Sequence, residues 1–152
     1  MSSPIGLAQT AFDPASQGWK PFRGSSRAPD QPDFNALIGP FWAKRQESGW
    51  LYAFQAETSH LNPQGVVHGG MLMSFIDYTL SMLAWEAAGR RPCVTAGLNN
   101  HFVGPARAGD WIEAQGRVVR GARSLVFMQG SLSVNGNAIL TADGIWKILG
   151  ED

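Results

Sequence analysis

Apolar residues along this chain fall into runs of different period, and each period predicts a different element. From 70 to about 88, Met71, Leu72, Met73, Phe75, Ile76, Leu80, Met82, Leu83 and Trp85 surround a helical axis on nearly every side. A helix apolar all round is a buried one. Its roughly 19 residues would run about 28 Å, and Gly89 supplies its stop signal. Before it, residues 49–57 are rich in aromatics and predict a strand, followed by a turn-forming loop over 60–65. Between 32 and 46, Phe34, Leu37, Ile38, Phe41 and Trp42 recur at helical spacing. They predict a short amphipathic helix with a break at Gly39-Pro40. Residues 1–32, rich in Ser, Gly, Pro and Ala, hold neither period. They read as an extended arm, either a tail draped over the domain or a lid over a ligand.

Everything after Pro92 predicts strand. Segments 93–103, 110–120, 123–134 and 138–149 are separated by Gly104-Pro105, Gly121-Ala122 and the hairpin signal Asn135-Gly136-Asn137. In the second of them Ile112, Ala114, Gly116 and Val118 alternate with polar residues. The expected order is one strand, a long buried helix, then four strands in a meander. This is an α+β pattern. An arm and short helix would occupy residues 1–45, and the domain proper 46–152. One face of one sheet cannot cover a helix that is apolar all round. The antiparallel sheet should therefore wrap around the helix, and a second subunit should cover the remainder.

Composition narrows the function classes. The chain has 152 residues, 44% of them hydrophobic, enough for one domain with a real core. Twelve cationic side chains balance twelve anionic ones, so no net charge attracts nucleic acid or an anionic membrane. Only 16% of residues are charged, which fits a surface partly hidden in an oligomer. The lone Cys93 excludes an intramolecular disulfide and fits a reducing compartment. No signal-peptide pattern opens the sequence, and the apolar stretch 69–85 is interrupted by Asp77 and short for a membrane span. A cytoplasmic location is expected.

The segment Asn62-Pro63-Gln64-Gly65-Val66-Val67-His68-Gly69-Gly70, with Asp77 following, carries the candidate chemistry. Asp77 lies two turns into an apolar helix, where an ionised carboxylate is costly unless paired or hydrogen-bonded. It is either a structural acid or a catalytic one. Gly69 and Gly70 fall at the helix N-terminus, whose first amides have no intrahelical acceptor. Those amides either let the loop turn or form a site for a carbonyl oxygen becoming an oxyanion. Eight helical residues separate Gly69 from Asp77 by about 12 Å along the axis. One chain cannot easily bring both to one small reacting group, whereas two antiparallel helices side by side could. His60, His68 and His101 lack the spacing of a metal-ligand set, so no metal is expected.

The pattern Asn-x-x-Gly-x-x-His-Gly-Gly, with Asp nine residues after the His, resembles the hotdog-fold acyl-CoA thioesterases of the PaaI-like, phenylacetic-acid-degradation type. The run from Asn99 to Asp110, with Phe102, Pro105-Ala106 and Gly109-Asp110, is similar to the strand and turn that follow the helix in that family. The likeness spans about 48–149. It implies a hotdog fold and an acyl-CoA substrate, with no cofactor. It implies that Asp77 acts as base or nucleophile at the thioester carbonyl and that the Gly69 amide polarises that carbonyl. Asn62 would position water, His68 would line the site, and Thr95 would orient the acid or the water. Gly70 would contact substrate at the same helix end. Gly97 departs from the acidic residue that many relatives carry there.

The coenzyme A end of such a substrate is phosphorylated. Arg120, Arg123 and Ser124, around the turn at Gly121, are either phosphate contacts or simply solvated turn residues. Two other functions compete with hydrolysis of an aromatic or medium-chain acyl-CoA: hydration or dehydration of an acyl thioester on the same fold, and acyl-CoA binding without catalysis. The first usually pairs an acid with a catalytic His in a different arrangement. The second does not call for the set Asp77, Asn62 and Thr95. A homodimer, or a dimer of dimers with sites at the subunit interface, is expected.

Overall fold

A proline ends the first helix and turns the chain into a strand. The computed structural model describes residues 12–22 and 30–150. Helix α1 covers only Phe34–Ile38, capped by Asp33, whose Oδ1 accepts the Ala36 N–H at 3.0 Å. Pro40 has no N–H with which to continue a helical ladder. From there the burial period drops to two, with Phe41 and Ala43 buried between half-buried Trp42 and Lys44, forming strand β2 (Phe41–Gln46). The single helix expected over 32–46 is thus corrected to a helix of one turn and a strand.

Strand β2 forms a hairpin with β3 (Gly49–Gln55), and β1 (Lys20–Phe22) adds on its other side. Part of the arm therefore belongs to the sheet. Trp19, buried just ahead of β1, meets the Trp111 ring edge-on at 5.3 Å. Residues 1–11 and 23–29 of the expected arm lie outside the described residues.

The long helix α2 spans Gly69–Ala87, and β4 (Cys93–Phe102), β5 (Trp111–Gly121), β6 (Leu125–Val134) and β7 (Asn137–Ile148) follow. They complete a seven-stranded sheet of order β1-β2-β3-β5-β6-β7-β4, antiparallel throughout. The expected four-strand meander is corrected by this order. Strands β5, β6 and β7 are successive hairpins, but β4 pairs with β7, and β5 pairs with β3. The reason lies in the connection after β4, whose backbone bonds elsewhere. Val103 N–H donates to Ile139, the Ala106 carbonyl accepts from Val67, and the Asp110 carbonyl accepts from Ala56. No tight turn can form there, so β4 is left at the sheet edge.

Helix α2 packs against β4, β5, β6 and β7, so one sheet wraps around it. Its closest approach falls on a cross-strand pair of glycines, Gly116 and Gly130. A Cβ on Gly130 would stand 2.8 Å from Leu80 Cδ2 and 2.9 Å from the Gln115 carbonyl, so only glycine admits the helix at this depth. Phe75, Ile76, Leu80 and Ala84 are fully enclosed. The burial is not complete all round, however. Gly70, Ser74 and Asp77 are half-buried and Met73 is 41% exposed, leaving an open stripe along α2. No helix among the described residues is long and apolar enough to cross a membrane.

Candidate active site

The loop before α2 fixes where the helix N-terminus begins. Asn62 Oδ1 accepts the N–H groups of Gln64 at 3.0 Å and Val66 at 3.3 Å, and Asn62 N–H donates to the Val66 carbonyl. This closes the turn over 62–66. His68 N–H then donates to the His60 carbonyl at 2.8 Å, which fixes the chain where it enters α2.

At that entry His68 is the N-cap, and its Nδ1 accepts the Gly70 N–H at 2.8 Å. A ring nitrogen that accepts an amide proton carries none itself, so the neutral ring holds its proton on Nε2. The two glycine amides are therefore not equivalent. That of Gly70, expected to be open to a ligand, is taken by His68, while that of Gly69 has no acceptor among the described residues. The Phe102 ring packs over Gly69, where a Cβ would lie 3.2 Å from Phe102 Cζ. An unclaimed N–H at the positive end of a 19-residue helix is a ready donor to an oxygen gaining negative charge.

Asp77 lies eight residues further along α2, on its open stripe. It is half-buried rather than sealed in the core as expected, so solvent relieves part of the cost of its charge. Thr95 Oγ1 donates to Asp77 Oδ1 at 2.6 Å. Thr95 reaches it from β4, one residue before a bulge: Thr95 pairs with Trp146, and Gly97 pairs with Ile145. One turn beyond Asp77, Ser81 Oγ accepts from the buried Trp146 Nε1 at 2.8 Å. Two hydrogen bonds from adjacent strands thus pin this stretch of α2 against β4 and β7. At Gly97 an added Cβ would meet nothing within 4 Å, so packing does not demand a glycine there.

Not all the expected residues gather in one place. Asn62, His68 and Gly69 sit at the start of α2, whereas Asp77 and Thr95 sit about 12 Å along its axis at 1.5 Å per residue. Arg120, Arg123 and Ser124 lie near the second group. Thr95 pairs with Trp146, which pairs with Val126, so the turn between β5 and β6 is two strands away at the same end of the sheet. Both arginines are exposed, and neither forms an ion pair among the described residues. Cys93, two residues before Thr95, has its thiol pushed above the usual range by burial, against a smaller opposing pull from Arg91. Such a thiol is poorly ionised near neutral pH and makes a weak nucleophile. Among the described residues no three His, Cys, Asp or Glu side chains cluster as a metal site.

His60 was considered in the sequence only as a metal ligand, and it does something else. It is buried, its Nδ1 accepts the Glu57 N–H at 3.0 Å, and its Nε2 donates to the Ile38 carbonyl at 2.9 Å. This ties α1 to the loop ahead of the site. Nothing in local spacing signals it, because Ile38 is 22 residues away.

The comparisons with known proteins agree with this architecture. A family model described as the thioesterase superfamily matches residues 64–138, from the loop before α2 into β7. A Pseudomonas aeruginosa protein provisionally named an esterase is 30% identical over 134 residues, covering 87% of this chain and 96% of that protein. Zebrafish thioesterase superfamily member 2 superimposes with a TM-score of 0.71 at 25% identity, over 80% of this chain and 89% of that one. PaaI of E. coli, from the phenylacetic acid degradation operon, does so with a TM-score of 0.61 at 17% identity, over 66% and 72%. A Streptococcus pneumoniae protein described as a hypothetical thioesterase, solved with coenzyme A, gives a TM-score of 0.67 at 18% identity, over 73% and 90%. The chain is a member of the thioesterase superfamily and a thioester hydrolase, and its sheet wrapped around one long helix is the hotdog fold that these solved structures share.

Proposed function

We propose that this protein hydrolyses an acyl-CoA to the free acid and coenzyme A in a site completed by two copies of the chain. The observation that carries the reading is the unclaimed Gly69 amide, eight residues from a carboxylate that Thr95 orients. In this mechanism the thioester oxygen accepts from the Gly69 N–H of one subunit. Charge that builds on that oxygen in the tetrahedral intermediate is stabilised by the amide and the helix end behind it. Asp77 of the other subunit stands opposite the carbonyl carbon. As a general base it takes a proton from water as the water oxygen bonds to that carbon. As a nucleophile it forms a mixed anhydride that water then opens. In the first route the carbon–sulfur bond then breaks, and the departing sulfur receives the proton that Asp77 took. In the second it breaks as the anhydride forms, and the thiolate takes its proton from solvent. The later attack of water on the anhydride releases the acid and regenerates the Asp77 carboxylate. The amide nitrogen of Asn62, whose Oδ1 is committed to its own loop, is the end that can hold water, and His68 Nε2–H faces the substrate.

Two copies are supported by the edge of the sheet. Strand β4 is ten residues long, carries no charged side chain, and has no partner on its outer side among the described residues. An unprotected edge of this kind is a template for another strand. Pairing β4 with β4 of a second copy would bring the open stripes of the two α2 helices toward each other. The acyl-CoA substrate is supported by the pneumococcal protein solved with coenzyme A and by Arg120 and Arg123 beside Ser124, which form no ion pair among the described residues and suit its phosphates. An aromatic or medium-chain acyl group fits the apolar surroundings.

The test is release of free thiol from a panel of acyl-CoAs, including phenylacetyl and straight-chain members, in the presence of a thiol reagent. Hydrolysis liberates one thiol per turnover. Consumption of an unsaturated acyl-CoA without thiol would indicate hydration, and binding with no turnover would indicate a carrier. Either result overturns the proposal.

A further inference from the structure

A cavity of about 430 Å³ opens beside the start of α2, well within the range of about 300–1,000 Å³ that small-molecule sites occupy. His68, Gly70, Leu61 and Met71 line it. Helix α1 contributes Phe34 and Ile38 to the same lining, from the N-terminal region that the family model does not cover. Phe34 is 58% exposed, so a bound group could still cover much of its ring.

The chemistry of the lining selects the ligand. No residue around the cavity bears a formal charge when its histidines are neutral. Its polar atoms are largely satisfied from within. Ser74 Oγ donates to the Gly70 carbonyl at 2.7 Å, both His60 nitrogens are bonded, and His68 Nδ1 is held by Gly70. A phosphorylated nucleotide would lose its water there with no cation in return, a cost that an apolar group does not carry. Its lining includes His68 and Gly70, on either side of the Gly69 amide, which has no acceptor among the described residues.

We infer that this cavity holds the acyl group of the substrate and that α1, through Phe34 and Ile38, sets which acyl groups are accepted. The inference rests on the thioesterase reading above and deepens it. The thioester oxygen meets Gly69, the acyl chain runs past His68 toward α1, and coenzyme A leaves on the other side. His60 is then a positioning residue, because its bond to the Ile38 carbonyl holds the acyl wall at its distance from the helix.

The experiment uses Phe34→Ala and Ile38→Ala, with Leu37→Ala as a control. Leu37 lies on the same helix but is 73% exposed and does not line the cavity. A thioether analogue of the best acyl-CoA, which cannot be hydrolysed, is titrated by calorimetry beside coenzyme A itself, and the acyl-CoA panel is assayed in parallel. Removing a wall from an apolar subsite is expected to raise the Kd of the analogue about tenfold or more. Coenzyme A should bind as before, and the preferred acyl group should shift toward bulkier members. Leu37→Ala should match the parent. An analogue Kd and acyl profile unchanged in both wall variants overturn the inference. If the analogue binds and responds to the wall but no thioester releases thiol, the acyl subsite stands and the hydrolytic reading fails.

Discussion

Thr95 Oγ1 donates a 2.6 Å hydrogen bond to the Asp77 carboxylate, from an edge strand eighteen residues further along the chain. The bulge between Thr95 and Gly97 resets the alternation of β4, so that Leu98, of the opposite parity, also packs on the core. A hydrogen bond to a charged group contributes about 1.5–3 kcal/mol, and water can replace part of it. Thr95→Ala should therefore lower kcat by roughly tenfold, and Thr95→Ser, which keeps the hydroxyl, should recover most of that loss. An alanine variant with parental kcat would remove Thr95 from the reaction.

Gly69 offers an unusually clean deletion of a backbone donor. It is the first helical residue, where proline is tolerated, and His68 ahead of it already has φ −58° and ψ 134°, a conformation compatible with a following proline. Gly69→Pro should fold, with the Phe102 ring shifting to make room, yet lose about 10²–10³ in kcat with its N–H. Co-refolding it with Asp77→Asn should restore activity, because each mixed dimer contains one site with both groups intact. The parent should also sediment at no less than twice its 16.4 kDa chain mass. A monomer, or mixed dimers as inactive as either variant, would eliminate the shared site.

Legibility in the sequence followed the range of the interactions involved. Helix α2 and strands β5, β6 and β7 are set by periods and turn signals spanning a few residues, and they fall within two or three residues of their expected limits. What failed was non-local. Phe41 and Trp42 suit either a helix or a strand by spacing, and only pairing with β3 decides between them. The place of β4 depends on where the 103–110 connection finds its hydrogen bonds, which no hairpin signal encodes. Within the site, the resemblance left Thr95 to orient either the acid or the water, and the bond it makes is to Asp77. It could not show that His68 takes the Gly70 amide, nor that His60 ties α1 to the loop.

Arg120 and Arg123 are exposed, so their attraction for phosphates should be screened by salt beyond a Debye length of about 8 Å at physiological ionic strength. Raising the salt concentration should increase KM for an acyl-CoA more than for a short thioester without the nucleotide. Arg120→Ala and Arg123→Ala should each reduce that difference. Equal salt dependence for the two substrates would return both arginines to the role of solvated turn residues.

Tyr52 gives the fold an alkaline limit. Burial, assisted by the nearby charge of Glu86, pushes its pKa up to about 12 from 10.0. The folded state therefore favours the neutral phenol, while the unfolded chain releases the proton near pH 10. The stability linked to Tyr52 is complete below pH 10 and is lost as the pH rises toward 12. Tyr52→Phe retains the ring that meets Phe22 at 5.5 Å. In denaturant unfolding across pH 9 to 12, roughly the span of both titrations, it should flatten the alkaline loss without lowering stability at pH 7. A constant difference between parent and variant over that range would show that Tyr52 does not titrate with folding.

Asp77→Asn separates a catalytic carboxylate from a structural one. Asparagine is nearly isosteric, and its side-chain oxygen can still accept from Thr95. The hydrogen bond that pins α2 to β4 therefore survives while the base is lost. As a general base, Asp77 accounts for about 10²–10⁴ in rate, so kcat should fall by that factor. The melting temperature should hold or rise slightly, because half-burial leaves the parent carboxylate with some desolvation cost and catalytic sites often give up stability for activity. A structural acid predicts the opposite: hydrolysis per folded molecule retained, and an earlier melt as the charge-assisted bond from Thr95 weakens to a neutral one. Rate and melting temperature measured on one preparation therefore distinguish the two. A variant that melts early yet hydrolyses at the parental rate would remove Asp77 from the chemistry and leave the Gly69 amide without its partner.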